Sequence, residues 1–248
     1  MGDSFSRAAG MIAADQAVSL DINRLRLVAG EVDVTLTIPL SLSSSGFSAG
    51  LCPTDLATAT VLEAIWGLRP SVDRQIVAKS STGSTVVRTP VEFAARGMML
   101  VPNVSTDFGG LRVDESLSLG LRMLGSQWSL VDSAMSAVFE ALPVLAKLRR
   151  ESEEALSGGE RRQVAVGRAI AFFEARRLLR DGQGGVLVLD DPFEGLHDNT
   201  ALMVYQALER LYAQGVGIFV FAPAVPAFWL HSRVDLTKQF ASRPWVPT

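Results

Sequence analysis

The chain is poor in lysine, histidine and cysteine. Its 248 residues include three lysines (Lys79, Lys147, Lys238), two histidines (His197, His231) and one cysteine, Cys52. A single cysteine excludes an internal disulfide and fits a reducing compartment. A formal net charge of −3 lacks the basic excess that nucleic-acid binding needs, so no nucleic-acid partner is expected. The longest apolar run, GIFVFAPAVPAFWL (217–230), is too short to span a bilayer and holds two prolines. The first thirty residues carry Asp3, Asp15 and Asp21 and no long apolar block, so no secretory signal is expected. Aromatics are missing between Phe5 and Phe47. What remains is 48% hydrophobic and 20% charged, the make-up of a globular domain rather than a disordered chain.

Periodicity outlines an α/β domain. EVDVTLTIPL (31–40) alternates, placing Val32, Val34, Leu36, Ile38 and Leu40 on one face of a half-buried strand. A serine- and glycine-rich turn leads from it to a short apolar strand. LATATVLEAIWGL (56–68) reads as a helix with Leu62, Ile65, Trp66 and Leu68 inward, ended by Gly67 and Pro70. GMMLVP (97–102) reads as a buried strand, and 113–150 as mainly helical with breaks at Gly120, Gly125 and Pro143. GVLVLDDP (185–192) is an apolar strand ending in two carboxylates; an amphipathic helix (201–215) and the strand GIFVF follow. Fully apolar late strands alternating with helices predict a mainly parallel sheet. Residues 104 to about 155 read as a helical insertion into that core.

Two stretches carry chemistry. In LSGGERRQVAVGRAI (156–170), Ser157, Gly158 and Gly159 run into a helix. Free N–H groups and a partial positive charge at a helix start suit a phosphate, and glycines let it come close. The bland alternative is a capping box, with Ser157 as N-cap and Glu160 three residues on. In GVLVLDDP, Asp190 at the end of a buried strand suits Mg²⁺, and Asp191 would sit beside an attacking water. The bland alternative there is ordinary turn chemistry in Asp-Asp-Pro.

Taken together, LSGGE, GRAI, the strand ending in DDP, PFEGLHD, a helix and GIFVF resemble the ATP-binding subunits of ABC transporters. LSGGERRQ resembles the family signature and VLVLDDP its Walker B segment. EGLHD stands in the place of its D-loop, GMMLVPN resembles the strand into its Q-loop, and AIWGLRP the end of the helix after its phosphate loop. The resemblance implies a P-loop-NTPase-like core with an N-terminal antiparallel β portion and a helical subdomain. It implies one nucleotide-binding domain over 1–248, with a RecA-like core at about 1–103 and 160–248 and the helical subdomain at about 104–159. It also implies a dimer in which each ATP lies between one subunit's phosphate loop and the other's signature.

Against that pattern the chain's own site is depleted. The phosphate loop should fall at CPTDLATAT (52–60), where a working loop reads Gly-x-x-x-x-Gly-Lys-Ser/Thr. Cys52 and Ala57 stand at the glycines, Thr58 at the lysine, and only Thr60 keeps a hydroxyl near the place of the Ser/Thr; none of the three lysines lies in a glycine-rich loop opening a helix. Losing two charge-assisted contacts removes about 3–6 kcal/mol, on the order of a hundredfold or more in affinity. Asn103 replaces the Q-loop glutamine and Asp191 the catalytic glutamate. Pro223 stands at the switch histidine, and His197 at the D-loop aspartate.

The expectation is therefore a catalytically impaired subunit paired with an intact ABC ATPase and with transmembrane permease subunits. It would lie peripherally on the cytoplasmic face of the membrane. Ser157, Gly158, Gly159 and Glu160 would close on the partner's ATP and Mg²⁺, while the vestigial own site (Thr58, Thr60, Asn103, with Asp190 for Mg²⁺) stays empty or weak. Two alternatives stand beside it: a non-hydrolysing scaffold of a membrane complex, and an active but atypical ATPase. DDPFEG with the later AVPAF resembles lipid-trafficking systems; LRVDESL with VRTP and ARG resembles branched-chain amino-acid importers. The reading leans to lipids.

Overall fold

The computed structural model describes residues 17–29, 32–36, 38–51, 58–103, 108, 110–123, 128–179, 184–229, 231–235 and 240–244. Two sheets organise them. A parallel sheet of five strands runs in the order β10 (Ser232–Asp235), β4 (Phe47–Leu51), β9 (Val216–Ala222), β8 (Gly185–Asp190), β7 (Met98–Val101). An antiparallel sheet is built on β1 (Ser19–Ala29), flanked by β2 (Val32–Leu36) and β3 (Leu40–Ser43) on one side. β5 (Asp73–Ser80) and then β6 (Gly83–Val86) lie on the other. The last strand, β11 (Phe240–Pro244), returns to pair with β2, so the antiparallel part is not N-terminal alone.

Every residue of β8 and β9 is buried, which is what apolar sequences on both faces dictate. Their alternation still sorts the core. Leu187, Leu189, Ile218 and Val220 face one hydrophobic cluster, shared with the helices α6 (Gly158–Leu179) and α7 (Asp198–Ala213). Val186, Val188, Phe219 and Phe221 face the other, shared with the antiparallel sheet, α1 (Thr58–Trp66) and α2 (Pro90–Ala95). The helices α3 (Val113–Met123), α4 (Trp128–Ala141) and α5 (Pro143–Leu148) pack on α6. Gly167 is where they meet: a Cβ there would lie 2.8 Å from Leu117, 3.0 Å from Leu145 and 3.2 Å from Val138.

Three local expectations need correction. The alternating stretch 31–40 is two strands, because Pro39 has no N–H to donate; Ile38 is 49% exposed instead of inward. Leu68 is 59% exposed, since Gly67 at φ 74° turns the chain outward after Trp66. Gly120 does not break its helix, which continues to Met123. Gly125 lies outside the described residues, and Pro143 does open a helix.

Candidate nucleotide site

α6 begins at Gly158, with Ser157 before it. The Ser157 N–H and Oγ–H both donate to Glu160 Oε2 at 2.8 Å, and the Glu160 N–H donates back to Ser157 Oγ at 3.3 Å. The capping box is thus formed, and it holds the turn in an open position. Ser157 and Gly158 are exposed, with no atom within 4 Å of where a Gly158 Cβ would sit. Gly159 rests on the Leu196 side chain, 3.2 Å from a Cβ placed there.

The carboxylates lie at the C-terminal end of the parallel sheet, where open α/β sheets bind ligands. Asp190 is 5% exposed at the end of β8. Burial pushes its carboxyl above the usual carboxylate range, an N–H of Asn103 opposes this, and Glu194 adds repulsion. Asp191 follows at φ 41°, a left-handed conformation that Asp tolerates better than most residues. Burial, then Glu194, pushes its carboxyl up to about 6 despite Arg162 nearby. Its N–H donates to Phe221 O in β9 at 2.8 Å.

The structure brings Asn103 into this group. Its amide Nδ2 donates to Glu194 Oε2 at 2.8 Å, and its Oδ1 accepts from Arg162 Nη2 at 2.9 Å. Arg162 Nη1 also donates to Asp191 O at 2.6 Å. Arg162 and Glu194 were not read from the sequence. A partial signal existed, since Arg162 lies four residues after Gly158 and shares its helix face.

Thr58 and Thr60 lie in the first turn of α1, whose Glu63 is close enough to raise the Asp190 carboxyl further. Cys52 and Ala57 lie outside the described residues. Pro223 is exposed just past β9, and its ring offers neither proton donor nor acceptor. His231 is not near these carboxylates along the sheet. It stacks on Phe47 at 3.8 Å, at the opposite end of β4, and pairs with Glu209 at 3.4 Å. Lys79 pairs with Asp21 on the antiparallel sheet, and Lys147 is in α5. Among the described residues, Asp190, Asp191 and Glu194 thus gather around the Arg162 cation at this end of the parallel sheet, while Glu63 is paired with Arg69 at 2.8 Å.

Among the described residues, no three or more His, Cys, Asp or Glu side chains gather to hold a metal. A resident metal cage is therefore not present there. A magnesium ion carried on nucleotide phosphates asks less of the protein, one or two carboxylates, and Asp190 fits that part.

This architecture is the fold of ATP-binding cassettes of ABC transporters. A nucleotide-free cassette of that class matches with a TM-score of 0.61 at 18% identity, covering 84% of this chain and 81% of that one. Another, in its ADP conformation, matches with a TM-score of 0.59 at 16% identity, covering 85% and 82%. The sequence is similar to the sn-glycerol-3-phosphate import ATP-binding protein UgpC of Burkholderia cenocepacia, 26% identical over 210 residues, 83% of this chain and 53% of that protein. It is also similar to the maltose/maltodextrin import ATP-binding protein MalK of Escherichia coli, 28% identical over 193 residues, 77% of this chain and 47% of that protein. The chain thus spans about half the length of these relatives. No family model matches it. Among the described residues no helix is long and apolar enough to cross a membrane.

Proposed function

We propose that the chain is a nucleotide-binding subunit of an ABC transporter, impaired in its own ATP site, that lends its signature to an intact ATPase partner. One contrast carries the reading. The signature end of α6 is exposed, capped and open at Gly158, while the carboxylate end of the same chain gathers Asp190, Asp191 and Glu194 around one arginine and has no lysine among its described residues. A helix start of this kind suits a phosphate from outside the chain. The partner would supply phosphate loop, metal ligands and general base, with Mg²⁺ and ATP at the interface. Ser157, Gly158, Gly159 and Glu160 would close over the terminal phosphate. Asp190 would be a vestigial magnesium ligand, and Asn103, Thr58 and Thr60 remnants of a weak or empty site.

The proposed organisation is one domain, with a core at about 1–103 and 160–248 and a helical subdomain at about 104–159. It would dock on transmembrane permease subunits at the cytoplasmic face. For cargo, the two relatives named above import sn-glycerol-3-phosphate and maltose or maltodextrin, which favours a polar solute over the lipid that DDPFEG and AVPAF suggested.

The test is to purify the tagged chain from its native membrane with whatever binds it, then assay ATP hydrolysis. The complex should hydrolyse ATP and the isolated chain should not. Ser157→Arg in this chain should lower the complex's turnover at least tenfold. Ordinary turnover by the isolated chain, or a silent Ser157→Arg, would sink the reading.

A further inference from the structure

Arg162 is the fifth residue of α6, one turn beyond Gly158. Its guanidinium reaches two other parts of the fold. It donates to Asp191 O at 2.6 Å and to Asn103 Oδ1 at 2.9 Å, and lies 3.6 Å from the Glu194 carboxylate. Asn103 Nδ2 closes the ring on Glu194 at 2.8 Å. Asp191 O also accepts the Glu194 N–H at 3.3 Å, so the turn after β8 is held from within as well. The next residues of that turn reach back to α6, because Leu196 is the side chain beneath Gly159. Gly159 and Arg162 thus join the start of the signature helix to the turn after β8 at two points, one apolar and one polar.

Chemically this is a fork placed among acceptors. A guanidinium is planar, always charged and rigid, so several bonds are made with little further ordering. At 18% side-chain exposure the Arg162 bonds to Asp191 O and Asn103 are partly shielded from water, which strengthens charge-assisted contacts, while Glu194 at 59% exposure is the solvent-facing partner. Removing Arg162 would leave the side chains of Asn103 and Glu194 bonded to each other and would free α6 from both.

We propose that Arg162 is a positioning residue that presets the signature helix for a partner's ATP, pinning α6 to Asn103, Asp191 and Glu194. This rests on the trans reading of the signature given above. The consequence is thermodynamic. If the signature is held in its competent position beforehand, ATP binding at the interface does not have to order it. Without the pin, apparent affinity falls by the fraction of time the helix is out of position.

The experiment uses full-length Arg162→Gln and Arg162→Lys. In the isolated chain, hydrogen exchange should accelerate about tenfold or more in 98–103, 158–162 and 191–196 for Arg162→Gln, less for Arg162→Lys, and not in β4 or β9. In the complex with its ATPase partner, Arg162→Gln should raise KM for ATP by a similar factor with kcat nearly unchanged, and Arg162→Lys should recover part of it. Wild-type exchange in Arg162→Gln overturns the pin. Faster exchange with unchanged KM overturns the presetting. A silent Ser157→Arg instead removes the trans role while the exchange result on the isolated chain still stands. Should Arg162→Gln fail to fold, Asn103→Ala and Glu194→Ala remove the pin's two side-chain acceptors, and the same shifts are expected.

Discussion

Arg168 and Glu153 form a forked ion pair, with Arg168 Nη2 2.7 and 2.8 Å from the two carboxylate oxygens and Glu153 only 1% exposed. The same guanidinium donates through Nε to Ser116 Oγ at 2.8 Å and lies 4.6 Å from the centre of the Phe108 ring. It thereby ties α6 to α3 and to the short turn of helix over Glu153–Ala155, just before the signature. Breaking a buried pair from one side leaves the other charge stranded. Glu153→Gln should therefore cost about 3 kcal/mol. Melting curves should show Tm lower by roughly 6–12 °C at this chain length. A loss under about 1 kcal/mol, the range of exposed pairs, would contradict this picture.

Gly167 predicts a packing effect of the opposite kind. Leu117, Leu145 and Val138 leave no room for a side chain there. Gly167→Val overfills the contact between α6 and its neighbours and should destabilise by about 1–3 kcal/mol. Urea unfolding should show a lower midpoint with an unchanged slope. An unchanged midpoint would mean that the helices reseat freely.

At Gly158 stability and function should part. Open space surrounds the position and the backbone is already helical, so Gly158→Ala should leave the fold as stable or more so, by about 0.5–1 kcal/mol. On the proposed trans reading, the added methyl would stand where a partner's phosphate approaches. Turnover of the complex should drop while Tm of the isolated chain holds or rises. Both falling together would assign Gly158 to folding alone.

Asp191 predicts a pH dependence with a definite sign. Its folded-state carboxyl is raised to about 6, chiefly by burial, against about 3.9 in an unfolded chain. The native state therefore holds the extra proton between those values, and stability falls as pH rises from about 4 to about 6. Asp191→Asn removes that loss and keeps a residue that tolerates φ 41°. In magnesium-free buffer it should stabilise the chain by about 1 kcal/mol at pH 8, less than the full shift implies because water reaches the group. At pH 5 the gain should be smaller. An equal gain at both pH values would point to backbone preference instead.

Much of the fold was legible for a simple reason. β8 and β9 are buried on both faces, so their residues are uniformly apolar and stand out. β1, the longest strand, was not read. Leu20 and Ile22 keep one parity and Leu25 and Leu27 the other, because pairing with β5 slips between Ile22 and Arg24. One irregular residue in a strand erases a period of two. Leu68 went wrong through a single left-handed glycine, Gly67. At the site, Asp190, Asp191 and Asn103 were singled out as separate positions and the fold gathers them. Arg162 escaped because its partners lie 59, 29 and 32 positions away in the chain.

Residue chemistry alone determined several things. No Gly-Lys phosphate loop can form without a lysine in a glycine-rich turn, one cysteine cannot make an internal disulfide, and Ser-Gly-Gly-Glu caps a helix by contacts no more than three residues long. These are local facts, set by which atoms the side chains own. Tertiary structure decided where charge ends up. Only folding lays Asn103 and α6 against the turn after β8 and leaves one guanidinium among the carboxylates of Asp190, Asp191 and Glu194. Electrostatic balance at a site is a sum over neighbours in space, and a linear order of residues does not contain that sum.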